Sequence, residues 1–87
     1  MISLSNQKKH DIYNIIGKNI QKYRKLLGIS QRTLAESLVL SESFIAKLES
    51  VTYQTISIDT LELIANKLNM PITAFFDESV MEEKTTN

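Results

Sequence analysis

Apolar residues recur every three or four positions in several separate runs of this 87-residue chain. Residues at that spacing share one face of an α-helix, so each run predicts an amphipathic helix with a buried face. Gly28 follows the first run and suits a left-handed helix stop. Two residues, Ser5 and Asn6, are alternative N-caps for this helix, so its start stays open. The first run consists of Ile12, Ile16, Ile20, Tyr23 and Leu27.

Three serines each precede a further run and predict where the next helices begin. A serine hydroxyl at an N-cap accepts a hydrogen bond from one of the first free backbone amides of the helix. The helices predicted in this way cover 31 to about 38 after Ser30, 42 to about 50 after Ser41, and 58 to 68 after Ser57.

The end of the chain predicts one more helix and then a tail. Asn69 can take a left-handed closing position, and Pro71 permits a fifth short helix over 72–76. We therefore expect an all-α fold of five helices. The predicted division is a polar extension or helix start over 1–11, one domain over 12–76, and an acidic, mobile tail over 77–87.

Cysteine and histidine usage excludes several kinds of chemistry. The chain has no cysteine and only one histidine, His10, which removes disulfides, thiol catalysis and nearly every zinc site. The neighbouring acids of the tail lack the fixed geometry that acid–base catalysis requires. We therefore expect no enzyme activity, no catalytic residue, no metal and no cofactor.

Apolar runs never exceed three residues, which indicates neither a membrane span nor a signal peptide, and predicts a cytoplasmic protein. The formal net charge of zero conceals a strong asymmetry along the chain. Residues 1–33 contain seven basic residues and one acid, whereas the remainder contains three basic residues and nine acids. Such asymmetry is typical of a basic face for a polyanion, although a solvated helix face followed by an acidic tail explains it equally well.

The second and third predicted helices are short and nearly contiguous, which is the pattern of a helix-turn-helix. Helices that cross closely need a small residue at the crossing, and Ala35 supplies one. Ile45 and Leu48 can pin the third helix to the core. The first turn of that helix is then free to face outward.

One set of residues, from about Ile16 to Phe76, stands in a known order and spacing: Ile16-Gly17, Ile20, Tyr23-Arg24, Gly28-Ile29-Ser30-Gln31, Leu34-Ala35, Ser41, Ile45, Lys47-Leu48-Glu49, Ser57, Thr60-Leu61, Ile64-Ala65, Leu68, Pro71 and Phe76. In these residues the sequence resembles the lambda-repressor and Cro-like helix-turn-helix proteins, also called the XRE family. The resemblance implies a five-helix domain that binds double-stranded operator DNA, usually as a homodimer, and regulates transcription.

Particular residues inherit expected roles from this resemblance. Arg24 and Glu49 match an ion pair that ties helix 1 to the end of helix 3, although two independent surface charges are the alternative. The matched base-contacting candidates are Glu42, Ser43, Phe44 and Lys47. The phosphate-contacting candidates are Ser30, Gln31, Arg32, Ser50, Thr52 and Tyr53.

The sequence departs from the family pattern at three positions. Val39 stands in the turn and Val51 after helix 3, where the family usually has glycine. A β-branched residue at positive φ costs about 1–3 kcal/mol, so the turn could take another shape. Glu42 would repel phosphate and could instead favour the dipole of its own helix.

Two functions therefore remain open at the level of sequence. The first is a dimeric DNA-binding regulator, with a dimer interface drawn from Ile72, Phe75, Phe76, Val80 and Met81, although Phe76 could equally be a core residue. The second is a protein-interaction module, such as an antitoxin whose acidic tail masks a basic partner. Zero net charge, Glu42 and the absence of Lys and Arg from 51–56 favour the second.

Overall fold

The computed structural model describes residues 11–50 and 54–85, with side chains described as far as residue 82. Within these residues the fold is all-α. Its elements are α1 (Ile12–Leu26), α2 (Gln31–Ser37), α3 (Glu42–Glu49), α4 (Ile58–Lys67), a first 3₁₀ helix (Ile72–Phe76) and a second 3₁₀ helix (Glu78–Thr85). The predicted all-α class is thus confirmed, while the predicted fifth helix is a 3₁₀ helix.

Side-chain caps explain where the helices begin. The hydroxyls of Ser30, Ser41 and Ser57 each accept a hydrogen bond from the backbone amide three residues later, at 3.0 to 3.1 Å. These three starts agree with the sequence prediction. Helix α1 is capped instead by Asp11, whose carboxylate accepts from the amide of Tyr13 at 2.7 Å. The alternative caps Ser5 and Asn6 lie outside the described residues.

Left-handed residues end three of the elements. Gly28 and Asn69 follow α1 and α4 with φ of 72° and 61°, as their sequence positions predict. Val39 also has a positive φ, 58°, in the turn between α2 and α3. Its side chain is 94% exposed, so no packing offsets the strain of a β-branched residue in this conformation. The turn therefore has, at Val39, the positive φ that a glycine would adopt without strain.

The core forms where α1, α2, α3 and α4 meet around the first 3₁₀ helix. Phe75 is fully buried and its ring packs edge-on against Tyr23, with ring centroids 5.4 Å apart. This corrects the proposal that Phe75 could build a dimer interface, because a side chain without exposed surface cannot contact a second subunit. Phe76, the alternative core residue, is the more exposed of the two.

Helices α1 and α3 approach each other closely at Gly17. A Cβ atom added to Gly17 would overlap the backbone carbonyl oxygen of Leu48. Only a residue without a side chain leaves room for α3 at this crossing. Gly17 thereby fixes the distance between α1 and the helix-turn-helix.

The chain after Phe76 is more regular than the predicted mobile tail. Asn19, fully buried on α1, donates from its amide nitrogen to the carbonyl oxygens of Phe75 and Asp77 at 3.0 and 3.1 Å. Asp77 in turn accepts from the amide of Ser79 at 3.0 Å, and the second 3₁₀ helix follows. Sequence periodicity gives no sign of this docking, because one buried amide on a distant helix holds the segment.

The apolar residues of that segment are half-buried. Val80 and Met81 have intermediate exposure, and Ile72 packs partly against the core. These three members of the predicted dimer set therefore already contact their own chain.

None of the helices in ranges 11–50 and 54–85 combines the length and the hydropathy that a membrane span needs.

Candidate nucleic-acid interface

The α2–turn–α3 unit is closed by short backbone hydrogen bonds at the end of α2. The amides of Leu38 and Leu40 both donate to the carbonyl oxygen of Ala35, at 3.1 and 2.8 Å. Ala35 is buried, and it is the small residue that the close crossing of the two helices needs. The turn therefore sets the direction of α3 through backbone bonds that do not depend on the exposed side chains.

Helix α3 has one buried and one open side. Ile45 and Leu48 are buried in the core, while Glu42, Ser43 and Lys47 are exposed. Three of the four base-contacting candidates thus share the open side, with Glu42 and Ser43 in the first turn of the helix and Lys47 in the last. A polar surface of this kind on a rigidly held helix is able to hydrogen-bond base edges in a major groove.

Phe44, the fourth candidate, lies differently from the other three. Its side chain is half-buried and packs against the core, so only part of the ring faces solvent. A methyl contact with thymine remains within its chemistry, but core packing restricts the side chain. Phe44 therefore joins the open face to the core.

Arg24 and Glu49 form a two-point ion pair beneath α3. Arg24 donates from Nε to Oε2 of Glu49 at 2.7 Å and from Nη2 to Oε1 at 2.8 Å. The residues are 7% and 2% exposed, so this is a buried pair and not two independent surface charges. Arg24 Nη1 also donates to the carbonyl oxygen of Ile29 at 2.8 Å. One guanidinium therefore connects α1 with α3 and with the chain before α2.

The ion pair also shifts the pKa of Arg24. The hydrogen bond to Glu49 raises the pKa of Arg24, and the carboxylate charge adds to this, while burial acts in the opposite direction. Since the ordinary pKa of arginine is already above the physiological range, the guanidinium stays charged wherever the protein is folded. Arg24 therefore remains a charged donor in this contact.

Gln31 belongs to the same network. Its Nε2 donates to Oε1 of Glu49 at 2.9 Å, and the side chain is half-buried. The sequence predicts a phosphate-contacting role for Gln31 but not this bond. The start of α2 is thereby tied to the end of α3.

The other candidates at the start of α2 are exposed and have partners within the chain. The hydroxyl of Ser30 accepts from the amide of Thr33 at 3.0 Å as the helix cap. Arg32 forms an exposed ion pair with Glu36 one turn later, with Nε and Oε2 3.2 Å apart. Such surface pairs contribute about 0–1 kcal/mol, so a phosphate could displace Glu36 at small cost.

Three of the predicted phosphate contacts follow α3 in the chain. Ser50 is exposed, and its hydroxyl donates to the carbonyl oxygen of Lys47 at 3.2 Å. Thr52 and Tyr53 lie outside the described residues. The described part of the loop, 54–57, contains no Lys or Arg.

Sequence reasoning missed two residues that shape this site. The bond of Gln31 to Glu49 has no signature in the local sequence, because it joins residues 18 positions apart. Asn19 did leave a signal: it lies four residues after Ile15, on the buried face of α1, where a polar residue needs hydrogen-bonding partners.

Across ranges 11–50 and 54–85, no three His, Cys, Asp or Glu residues are grouped to hold a metal ion.

Comparison with known proteins identifies a family and several relatives of this chain. The family model described as helix-turn-helix matches residues 20–75. An uncharacterized HTH-type transcriptional regulator from Sinorhizobium medicae is 34% identical over 77 residues, which cover 87% of this chain and 55% of that protein. The HTH-type transcriptional regulator SlrR of Bacillus subtilis is 34% identical over 71 residues, covering 80% of this chain and 47% of that protein.

A solved structure shares the fold. The crystal structure of the hypothetical transcription factor NHTF from Neisseria superposes with a TM-score of 0.74, covering 97% of this chain and 95% of that chain. Its sequence identity is 18%, so the likeness concerns the fold alone. The chain spans about half the length of the curated relatives it matches.

Proposed function

This chain belongs to the XRE-type helix-turn-helix family, and from that premise we propose that it is a sequence-specific DNA-binding regulator of transcription that acts as a repressor. Helix α3 enters the major groove of a near-palindromic operator, and two copies bind as a homodimer. The observation that carries the proposal is the open side of α3, with Glu42, Ser43 and Lys47 exposed above a buried ion pair.

The proposed contacts divide by chemistry. Lys47 donates to the N7 and O6 atoms of guanine, Ser43 to a base or a phosphate, and the exposed edge of Phe44 packs on a thymine methyl. Each specific base contact is worth about 1–3 kcal/mol of discrimination. The phosphate contacts come from residues around both ends of the helix-turn-helix: Ser30, Gln31, Arg32, Ser50, Thr52 and Tyr53.

The test is selection from a randomised duplex library at low and moderate salt, with the purified protein and two charge-reversal variants. Lys47→Glu changes a proposed base contact. Lys25→Glu is the matched control, because Lys25 is also exposed but lies at the end of α1. We expect wild type to enrich a two-fold-symmetric motif that Lys47→Glu loses and Lys25→Glu keeps.

Salt dependence gives a second readout. Binding through phosphates releases counterions, so the logarithm of the affinity should fall against the logarithm of salt with a slope near −0.9 per phosphate neutralised. Lys25→Glu should weaken all sequences to a similar degree, whereas Lys47→Glu should change which sequence is preferred. No enrichment from folded wild-type protein at either salt would overturn the proposal.

One feature favours a second function. Glu42 is exposed in the first turn of α3, where an acid repels phosphate, and the described loop after α3 lacks basic residues. A module that binds a basic protein through its acidic surface would have this distribution. Replacing Glu42 with Gln separates the two, because it should strengthen DNA binding but weaken binding to a basic partner.

A further inference from the structure

The outer face of helix α4 carries an acidic, an apolar and a basic residue in a row. Asp59, Leu63 and Lys67 are spaced four residues apart and therefore form one stripe along the helix, which we call the α4 stripe. All three are exposed, and the central Leu63 is 50% exposed. The stripe thus has an acid at its beginning, an apolar residue at its centre and a base at its end.

The α4 stripe has no partner within the described part of the chain. The opposite side of α4 enters the core through Leu61, Ile64 and Ala65. The Arg24–Glu49 and Arg32–Glu36 ion pairs do not involve this helix. Asp59 and Lys67 are therefore available for contacts with another molecule.

We infer that the α4 stripe pairs antiparallel with the same stripe of a second copy of this chain. A two-fold axis through Leu63 places the two leucines together at the centre. The equal spacing of four residues on either side then places each Asp59 opposite Lys67 of the second copy. A parallel arrangement would instead place like charges opposite each other, which costs free energy.

Self-complementarity is what identifies the occupant. A two-fold interface uses the same patch on both subunits, so the patch must match its own reversed image. An acid, an apolar residue and a base at equal spacing meet this requirement. The charges set orientation, and they act together with the apolar contact at the centre.

This inference rests on the proposed function for the requirement that two copies act together. It differs from the interface expected from sequence, in which Phe75 is buried, Ile72, Val80 and Met81 are half-buried, and Phe76 is exposed. Dimerisation is measured without DNA, so its failure is distinguishable from failure of DNA binding.

The experiment uses two single variants and their mixture, in sedimentation equilibrium over a range of protein concentrations. Asp59→Lys gives a chain whose stripe ends are both basic, and Lys67→Asp one whose stripe ends are both acidic. Each variant alone should weaken the dimer by about tenfold or more, because both cross-pairs become repulsive. An equimolar mixture should restore dimerisation to near the wild-type level, because both cross-pairs are attractive again.

The mixture separates the inference from a structural role. Asp59 lies in the first turn of α4 and Lys67 in the last, where each also favours the helix dipole. That contribution acts within one chain, so mixing two variants cannot restore it. Circular dichroism melts of each variant show whether it is folded at the temperature of the experiment.

Glu62→Lys is the matched control. Glu62 is an exposed acid on the same helix, but it lies about 100° around the axis from Leu63. Its reversal should change the dimer constant less, and mixing it with Lys67→Asp should not bring the Lys67→Asp chains into dimers at the wild-type level, because one of the two cross-pairs stays repulsive. The inference is overturned if wild type stays monomeric at every concentration, if folded Asp59→Lys and Lys67→Asp dimerise like wild type, or if their mixture does not recover.

Discussion

The two ends of α3 differ in how many contacts hold them. At the C-terminal end, Glu49 accepts three hydrogen bonds, two from Arg24 and one from Gln31, and is almost fully buried. At the N-terminal end, Glu42 and Ser43 are exposed, and the helix is held locally by the cap of Ser41. The anchored end fixes the position of the helix, and the open end can change without loss of the fold. A helix that reads DNA needs both properties.

Glu49→Gln should break the anchored end and produce the largest effect. The substitution leaves the Arg24 guanidinium buried without a counter-charge, which costs about 3–5 kcal/mol of unfolding free energy. Urea denaturation monitored by circular dichroism measures it. The double variant Arg24→Met with Glu49→Leu should recover much of that loss, because both charges are removed together. A loss below about 1 kcal/mol for Glu49→Gln would show that the ion pair does not anchor α3.

Gly17→Ala should push α1 away from the C-terminal end of α3. The new methyl group overlaps the backbone of Leu48, so α1 and α3 must separate, at a cost of about 3 kcal/mol. Gly28→Ala is the informative control, since a Cβ there meets open space and the cost comes only from its positive φ. Equal losses for both variants would contradict a steric role for Gly17.

Val39→Gly should stabilise the turn that leads into the open end. Glycine adopts positive φ without the steric cost that valine bears, and the exposed valine side chain makes little packing to lose. We expect a gain of about 1 kcal/mol in unfolding free energy. A loss of stability in thermal melts would mean that the valine side chain is held by contacts, contrary to its exposure.

Glu42→Gln should change stability least and DNA binding most clearly. An exposed acid in the first turn favours the helix dipole by about 0.5 kcal/mol, and this is all that the fold loses. DNA affinity at low salt should rise severalfold, because a charge that repels phosphate is removed. Fluorescence anisotropy with one labelled duplex measures the change, and an unaltered affinity would mean that Glu42 does not face the DNA.

Protonation of Asp77 provides a contrast with Arg24, whose guanidinium stays charged. Hydrogen bonds from Ser79 lower the pKa of this exposed carboxyl. A lowered folded-state pKa means that the stabilisation is present above the unfolded-state pKa and is lost as pH falls through the folded-state value. The amide resonance of Ser79 should therefore shift in strongly acid solution, below the usual range for aspartate. Asp77→Asn should remove that titration, and its persistence in the variant would assign it to another acid.

Local features of the chain were predicted where local chemistry decides them. The serine caps, Gly28 and Asn69 act through the few residues beside them, so their roles follow from sequence. The docking of the second 3₁₀ helix was not predicted, because it depends on Asn19, 58 residues before Asp77. Phe75 and Phe76 are neighbours of equal hydrophobicity, so only the packing around Tyr23 decides which is buried.

Asn19 has a consequence for the order in which the protein is completed during synthesis. Its buried amide takes two of its acceptors from Phe75 and Asp77, which leave the ribosome long after α1. Until then the amide has its bond to the carbonyl oxygen of Ile15 alone, and the core lacks its largest side chain. The helices that carry the open side of α3 therefore reach their final packing only after the chain has been made as far as Asp77.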